Sequence, residues 1–202
     1  MSSQSSAEKA HPLADELLAF VARHPLSGPV VEVGQGTGRN TRALVAAGVQ
    51  VVPVADDVPY TQLPGGRDMY GAALSTHAYL HGTVDKLRAG LAELRRVLRP
   101  GAPIFITLGS IDDARYGLGI PFDERSFAPG DGDEAGIPHA YFDRDGIVEL
   151  LRGFFDLESA EQVDVDRIVG RWAHGEEAPS GRVHWFVRAR RSETPAQGTK
   201  RA

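Results

Sequence analysis

The stretch VVEVGQGTGRNT, from Val30 to Thr41, is the sequence feature that most constrains the fold. A nearly all-apolar run, typical of a strand buried on both faces, leads directly into three glycines at alternating positions. A strand, a glycine turn and a helix in this order direct backbone N–H groups and the positive helix end toward a ligand at the carboxyl edge of a sheet. The stretch therefore predicts an α/β domain with a nucleotide site behind this strand.

The spacing of the glycines narrows the choice of ligand. A dinucleotide fingerprint, G-x-G-x-x-G, would need its third glycine at the position of Arg39, and a P-loop would need a lysine that this turn lacks. The pattern that remains is an acidic residue, Glu32, followed by Gly34, Gly36 and Gly38. Neither of these two phosphate-binding motifs therefore accounts for the turn.

Strands and helices alternate along the rest of the chain. Hydrophobic periodicity predicts four helices. The first is in ADELLAFVARH, with Leu17, Leu18, Val21 and Ala22 on one face, and the second is in TRALVAAG. The third follows a cap at Thr83, and the fourth, in DRDGIVELLRG, follows a cap at Asp143. Strands are predicted in PVVEV, VQVVPVA, GAALS, APIFITL, FFDLESAEQV and RVHWFVRAR, although proline weakens the second of these. Strands separated by helices predict a mostly parallel sheet with helices on both faces.

The length of 202 residues and 21.7 kDa fits one domain, which we place at 12–190. Residues 1–11 and 191–202 are polar without apolar periodicity and are predicted to be flexible. The segment 111–142 is rich in Gly, Pro, Asp and Glu, and is far longer than an ordinary connection. We expect it to form a lid-like loop over the site.

Composition indicates the class of partner. A net charge of -5 without a dominant basic cluster argues against nucleic acid, and no apolar run is long enough to cross a membrane. There is no cysteine and no signal peptide, so we expect a cytoplasmic protein, monomeric or homodimeric, that acts on a small-molecule substrate. No metal site is predicted.

The segment EVGQGTGRNT resembles the first motif of the class I S-adenosylmethionine-dependent methyltransferases, and its G-x-G-R-N-T ending is similar to the tellurite-resistance branch. Two later segments, ELRRVLRPGAPIFITL and GIPHAYFDRDGIVELLRGFFDLESAE, are similar to the family's fifth strand and to its late helix and sixth strand. The resemblance covers roughly residues 29–190. It implies a single Rossmann-like methyltransferase domain with an antiparallel last strand, and S-adenosylmethionine as cofactor.

The chain departs from the family pattern between strands 2 and 4. Only about fifteen residues separate VPVADD from GAALS, as though a helix and a strand were deleted. Asp56 or Asp57 could therefore serve the ribose or stand near the adenine. The resemblance implies these cofactor-binding residues: Glu32, Gly34, Gln35, Gly36, Gly38, Arg39, Asn40, Asp56, Asp57, Ser75 and Thr76.

Methyl transfer from a sulfonium is an in-line displacement that depends mainly on holding the nucleophile in place. Histidine suits a base or substrate-orienting role near neutral pH, and the catalytic candidates are His77, His81 and His139. Candidate substrate contacts are Tyr79, Arg115, Tyr116, Tyr141 and Trp172. We expect transfer to an O or N nucleophile of a small molecule; the alternatives are a chalcogen or thiol acceptor of the tellurite type, or a non-catalytic cofactor-binding partner subunit.

Overall fold

A mixed sheet with helices on both faces organises the chain. The computed structural model describes residues 9–167 and 181–193. Its helices are α1 (Pro12–Val21), α2 (Arg39–Ala46), α3 (Val84–Val97) and α4 (Arg144–Leu151), with short 3-10 helices at Ala78–Leu80 and Val165–Arg167. Its strands are β1 (Val30–Val33), β2 (Val51–Val54), β3 (Ala72–Ser75), β4 (Pro103–Ser110), β5 (Ile120–Pro121), β6 (Ser126–Ala128), β7 (His139–Phe142), β8 (Phe155–Asp164) and β9 (Val183–Arg191).

The main strands follow the order β2-β1-β3-β4-β9-β8. The first four are parallel, while β9 runs antiparallel to both β4 and β8, so the predicted mostly parallel sheet with an antiparallel last strand is confirmed. Residues 55–71 contain no helix or strand, which confirms the predicted shortening and leaves β2 at the edge. Pro53 is tolerated in β2 because an edge strand needs donors on one side only.

Alternate residues of each strand point to two separate apolar layers. On β4, Ile104 and Ile106 belong to the layer beneath α3 and α4, whereas Phe105 belongs to the layer beneath α1 and α2. All three are fully buried, as is most of the parallel sheet. No helix in the described residues is long and apolar enough to cross a membrane.

Side-chain caps set the starts of the two later helices as predicted. Thr83 Oγ1 accepts a hydrogen bond from Lys86 N at 3.3 Å, and Asp143 Oδ1 accepts one from Gly146 N at 2.9 Å. For α1 the predicted apolar face was partly wrong. The buried residues are Leu13, Ala14, Leu17 and Phe20, because the helix begins at Pro12 and turns a different stripe toward the sheet.

The segment 111–142 is more ordered than a loop. It contains β5, β6 and β7, and Gly109 of β4 pairs with Tyr141 on one side and His184 on the other. One side of β4 pairs with β9 along nearly its whole length. β7 therefore pairs with the other side of β4, the side that also pairs with β3, and lies beyond the carboxyl end of β3. The segment thus folds over the edge where a ligand would bind in an open parallel sheet.

His11 fixes the start of the folded chain. It lies in the segment predicted to be flexible, yet it is buried, its Nδ1 accepts a hydrogen bond from Leu13 N, and its backbone N donates to Asn40 Oδ1 at 2.9 Å. Burial, together with the nearby Arg39 and His184, lowers the pKa of His11 to about 3. The folded protein therefore holds this imidazole neutral.

We predict that His11 makes stability fall in mild acid. His11 is protonated near pH 6.5 in the unfolded chain but only near pH 3 in the folded chain. Between these values it therefore lowers the free energy of unfolding by about 1.4 kcal/mol for each unit by which the pH falls. His11→Asn keeps a capping acceptor and should make the measured slope shallower in urea unfolding from pH 7 to pH 4, where the buried His184 also contributes. His24→Asn, at an exposed histidine, should keep it, and an unchanged slope in His11→Asn would contradict the assignment.

Candidate functional site

The glycine turn between β1 and α2 is held in a conformation that needs glycine. Gly34, Gly36 and Gly38 have φ of 73°, 51° and 74°, all in the left-handed region. Gly38 N donates to Gln35 O at 2.8 Å, and Gln35 N donates to Val54 O at 3.0 Å. The turn is therefore closed on itself and tied to the end of β2.

Two of these glycines have opposite surroundings. A Cβ on Gly34 would lie 2.9 Å from the Cβ of Ala78, whereas a Cβ on Gly36 would have no protein atom within 4 Å. Asp56, just past β2, accepts a hydrogen bond from Gly36 N at 3.1 Å, and Asp57 beside it is exposed. Gly36 and Asp56 thus border an open cradle lined by backbone and one carboxylate.

Glu32 lies inside the turn rather than in the cradle. It is 1% exposed and accepts a hydrogen bond from the hydroxyl of Thr41 on α2. Burial raises the pKa of Glu32, and the hydrogen bond from Thr41 opposes that rise. In this structure the carboxyl group ties β1 to α2.

Three further predicted cofactor residues use their side chains within the protein. Asn40 Nδ2 donates to Thr76 Oγ1 at 3.2 Å, and Ser75 Oγ donates to Val33 O at 2.9 Å. All three side chains are buried, and Asn40 Oδ1 is already bonded to His11 N. They hold the ends of β1 and β3 beside α2, and Arg39, at the start of that helix, is half-buried.

The three predicted histidines converge on one carboxylate. His81 Nε2 lies 3.0 Å from Glu134 Oε1, and His77 Nε2 lies 3.9 Å from the same oxygen. His139 Nε2 lies 3.2 Å from the other oxygen, Oε2. We call these four residues the histidine–glutamate cluster.

The cluster forms because the lid segment pairs with the short helix Ala78–Leu80. His77 and His81 flank that helix, and His81 pairs with His139 at the start of β7. The His81 ring meets those of His77 and His139 edge-on at 4.4 and 4.8 Å. The exposed fraction of the side chain rises from 5% at His139 to 34% at His77, so the cluster is buried at His139 and open to solvent at His77.

The cluster and the cradle are neighbours. Ala78, which Gly34 touches, stands between His77 and His81 on the short helix. The carboxyl ends of β1 and β3 therefore bring backbone donors and imidazoles to one place at the sheet edge. This is an arrangement in which a bound nucleotide and a second molecule could meet.

Arg115 is paired rather than available to an anion. Its Nε donates to Asp113 Oδ1 at 3.0 Å, and its Nη1 lies 3.8 Å from Glu134 Oε2. Asp113 is buried, and it also accepts a hydrogen bond from Val183 N at 3.0 Å. Two carboxylates of the protein thus balance the charge of Arg115, and its contact with an anionic substrate group stays a prediction.

The aromatic candidates divide between core and lid. Tyr79 is fully buried and donates to Gly90 O at 3.2 Å, so the predicted substrate contact is wrong and the ring packs in the core. Tyr116 is 39% exposed and lies 5.7 Å, centroid to centroid, from Tyr141, which is buried in β7. Burial raises the pKa of Tyr141 to about 12, which keeps its phenol neutral. Trp172 lies outside the described residues.

Sequence reasoning missed Glu134 and Asp113, the two carboxylates that organise the site. It also missed a spacing, since His77-Ala-Tyr-Leu-His81 is an H-x-x-x-H arrangement of two possible metal ligands. With Glu134, these histidines place three ligand atoms within 4.8 Å of one another. These residues therefore form a candidate ligand set, although no metal site is predicted from the sequence.

Solved structures resemble the chain in fold. The 1,6-didemethyltoxoflavin N1-methyltransferase of Burkholderia thailandensis, solved with 1,6-didemethyltoxoflavin and S-adenosylhomocysteine bound, matches with a TM-score of 0.65 and 18% identity over 91% of this chain and 78% of that one. The CcbJ methyltransferase of Streptomyces caelestis matches with a TM-score of 0.58 and 18% identity over 93% of this chain and 99% of that one. The [4+2]-cyclase SpnF matches with a TM-score of 0.53 and 18% identity over 88% of this chain and 81% of that one.

The chain has the Rossmann-like fold of class I S-adenosylmethionine-dependent methyltransferases. No protein-family model matches the sequence, and no curated protein matches it significantly. The cyclase among these neighbours illustrates that the fold alone does not name a reaction. None of these three proteins is described as a tellurite-resistance methyltransferase, so that branch stays a prediction.

Proposed function

We propose that the protein is an S-adenosylmethionine-dependent methyltransferase that acts on a small molecule. The observation that carries this proposal is the cradle at the carboxyl edge of the sheet. There, Gly36 faces open space that a Cβ would fill, beside the Asp56 carboxylate. In this fold, such a glycine turn followed by a helix suits a ligand with a ribose and a charged tail.

The cofactor would be held by backbone and by one carboxylate. Asp56 binds Gly36 N through Oδ1, which leaves its other oxygen to accept hydrogen bonds from the ribose hydroxyls. The methionine part would lie along Gly34–Gly38, where the positive end of α2 favours its carboxylate. Glu32 and Asn40 keep this turn in place from within the protein. When bound, S-adenosylmethionine supplies a methyl group on a sulfonium.

The acceptor would lie against His77 and His81. These imidazoles stand on either side of Ala78, which touches the glycine turn, so they face the region next to the cofactor cradle. Their role is to orient a hydroxyl or amine of the acceptor in line with the methyl group. As the new bond to the methyl carbon forms, the methyl–sulfur bond would break to leave a neutral thioether, and the acceptor proton would pass to an imidazole or to water. The lid, through Glu134 and His139, limits the entry of water.

We predict that Gly36→Ala weakens cofactor binding without unfolding the protein. Its methyl group would meet no protein atom but would occupy the cradle, so affinity for S-adenosylhomocysteine should fall more than about tenfold in calorimetry. Gly48→Ala is the matched control, since Gly48 also has positive φ and open surroundings but follows α2 away from the cradle. Both variants should lose about 1–2 kcal/mol of stability. Equal affinities in both would contradict the cradle.

We predict that Asp56, rather than Asp57, binds the ribose. Removing a hydrogen-bonding charge costs about 1.5–3 kcal/mol, so Asp56→Ala should weaken binding of S-adenosylhomocysteine by about 10- to 100-fold. Asp57→Ala removes an adjacent exposed carboxylate that has no hydrogen bond to the turn. The reverse ranking of the two variants would assign the ribose to Asp57.

We predict that labelled methyl groups pass from S-adenosylmethionine into one class of small O- or N-nucleophile when the protein is incubated with a metabolite extract. With that acceptor, His77→Ala and His81→Ala should lower kcat/KM by about 10- to 100-fold, because misplacement of the nucleophile by about 1 Å has that effect. Their affinity for S-adenosylhomocysteine should not change.

Other outcomes of the same screen decide between the alternatives. Full activity of both histidine variants toward a thiol or tellurium acceptor would favour the chalcogen methyltransferase, since a soft acceptor ionises without help. Cofactor binding with no transfer to any acceptor would favour a non-catalytic partner subunit. Absence of both binding and transfer would overturn the proposed function.

A further inference from the structure

We propose that the histidine–glutamate cluster binds one divalent transition-metal ion of the zinc type, through His77, His81 and Glu134. The Nε2 atom of His81 lies 3.0 Å, and that of His77 3.9 Å, from the same carboxylate oxygen. Two ligands in tetrahedral contact with zinc lie roughly 3.4 Å apart, as bond lengths near 2.0–2.1 Å require. The ligand atoms already bracket this separation, so small side-chain rotations would complete the site.

The backbone presents both histidines on a fixed support. Leu80 N donates to His77 O at 2.9 Å, and His81 N donates to Ala78 O at 3.2 Å, which closes the short helix. Tyr79 lies between the two histidines in the sequence, and its fully buried ring anchors this helix in the core. Since the core holds Tyr79, the imidazoles on either side keep their orientation toward Glu134.

The charges around the cluster favour a cation. Asp113 and Glu134 contribute two carboxylates to a chain of ion pairs in which Arg115 supplies the guanidinium. These groups lie in a partly buried place, where a carboxylate attracts an added cation more strongly than it does in water.

The hydrogen bonding of His139 points the same way. Its Nδ1 lies 2.9 Å from the carbonyl oxygen of Ile137, which only accepts, so Nδ1 carries the ring proton. In the neutral ring, Nε2 then turns a lone pair toward Glu134 Oε2 at 3.2 Å. A cation in the cluster relieves the repulsion between these two acceptors.

The donor set selects the class of ion. Imidazole nitrogen with a single carboxylate suits zinc, cobalt, nickel or iron(II), whereas magnesium and calcium prefer oxygen ligands. Three protein ligands leave one tetrahedral position open. In that position the ion would bind the acceptor oxygen or nitrogen and lower its pKa; this step rests on the proposed function, while binding of the ion does not.

Calorimetry on the full chain, stripped with a chelator and dialysed, tests the inference. We expect one Zn²⁺ per chain with micromolar or tighter affinity, no heat from Mg²⁺, and visible absorption from Co²⁺ that indicates tetrahedral nitrogen and oxygen ligands. His77→Ala, His81→Ala and the nearly isosteric Glu134→Gln should each weaken Zn²⁺ binding at least tenfold. His24→Ala, at an exposed histidine remote in sequence, should bind as the wild type does.

Four measurements separate this inference from the proposed function. Absence of Zn²⁺ binding, or equal binding by the wild type and the three cluster variants with unchanged circular dichroism, would overturn the metal site. Zn²⁺ should also raise the Tm of the wild type and not that of Glu134→Gln, which requires no methyl acceptor. Binding of S-adenosylhomocysteine, measured in the same instrument, tests the cofactor cradle independently. Methylation that is unchanged after metal removal would reject the acceptor role and leave the binding site standing.

Discussion

The close contact between Gly34 and Ala78 is the constraint on which the candidate site depends. A side chain at position 34 would lie 2.9 Å from the Ala78 methyl group, so only glycine allows the turn after β1 to rest against the short helix after β3. Because β1 and β3 are parallel neighbours, their carboxyl ends are already level, and this contact closes the gap between them. The backbone donors of the turn and the imidazoles of His77 and His81 consequently share one surface.

The lid segment completes this surface by adding a strand instead of a loose loop. β7 continues the edge of β4 beyond β3, which brings His139 against His81 and carries Glu134 above both. A single carboxylate then contacts three imidazoles and a guanidinium. The guanidinium of Arg115 lies between Glu134 and the buried Asp113, so the two carboxylates share one cationic partner.

The sequence predicts elements well and side-chain partners poorly, for a physical reason. Periodicity and glycine spacing are local, so the strands, the capped helices and the turn at Gly34 to Gly38 followed from them. The partner of His81 lies 53 residues away, and no local pattern encodes that contact. The buried position of Tyr79 and the hydrogen bond from Asn40 to Thr76 are likewise not encoded locally, because burial and long-range hydrogen bonds decide which face a polar or aromatic side chain presents. The H-x-x-x-H spacing of His77 and His81 is the exception, because it is a local signal in the sequence.

The short connection between β2 and β3 contributes both to the cofactor cradle and to the support of the histidine–glutamate cluster. Without a further strand, β2 is an edge, and Pro53 removes one donor from it, which discourages pairing with another chain. The segment 55–71 is anchored by buried Tyr60, whose hydroxyl donates to His81 O at 2.6 Å while its ring packs 4.9 Å from that of Tyr79. The segment that begins with Asp56 at the cradle therefore also fixes the backbone of the histidine–glutamate cluster. Any change in its length should alter both halves of the site together.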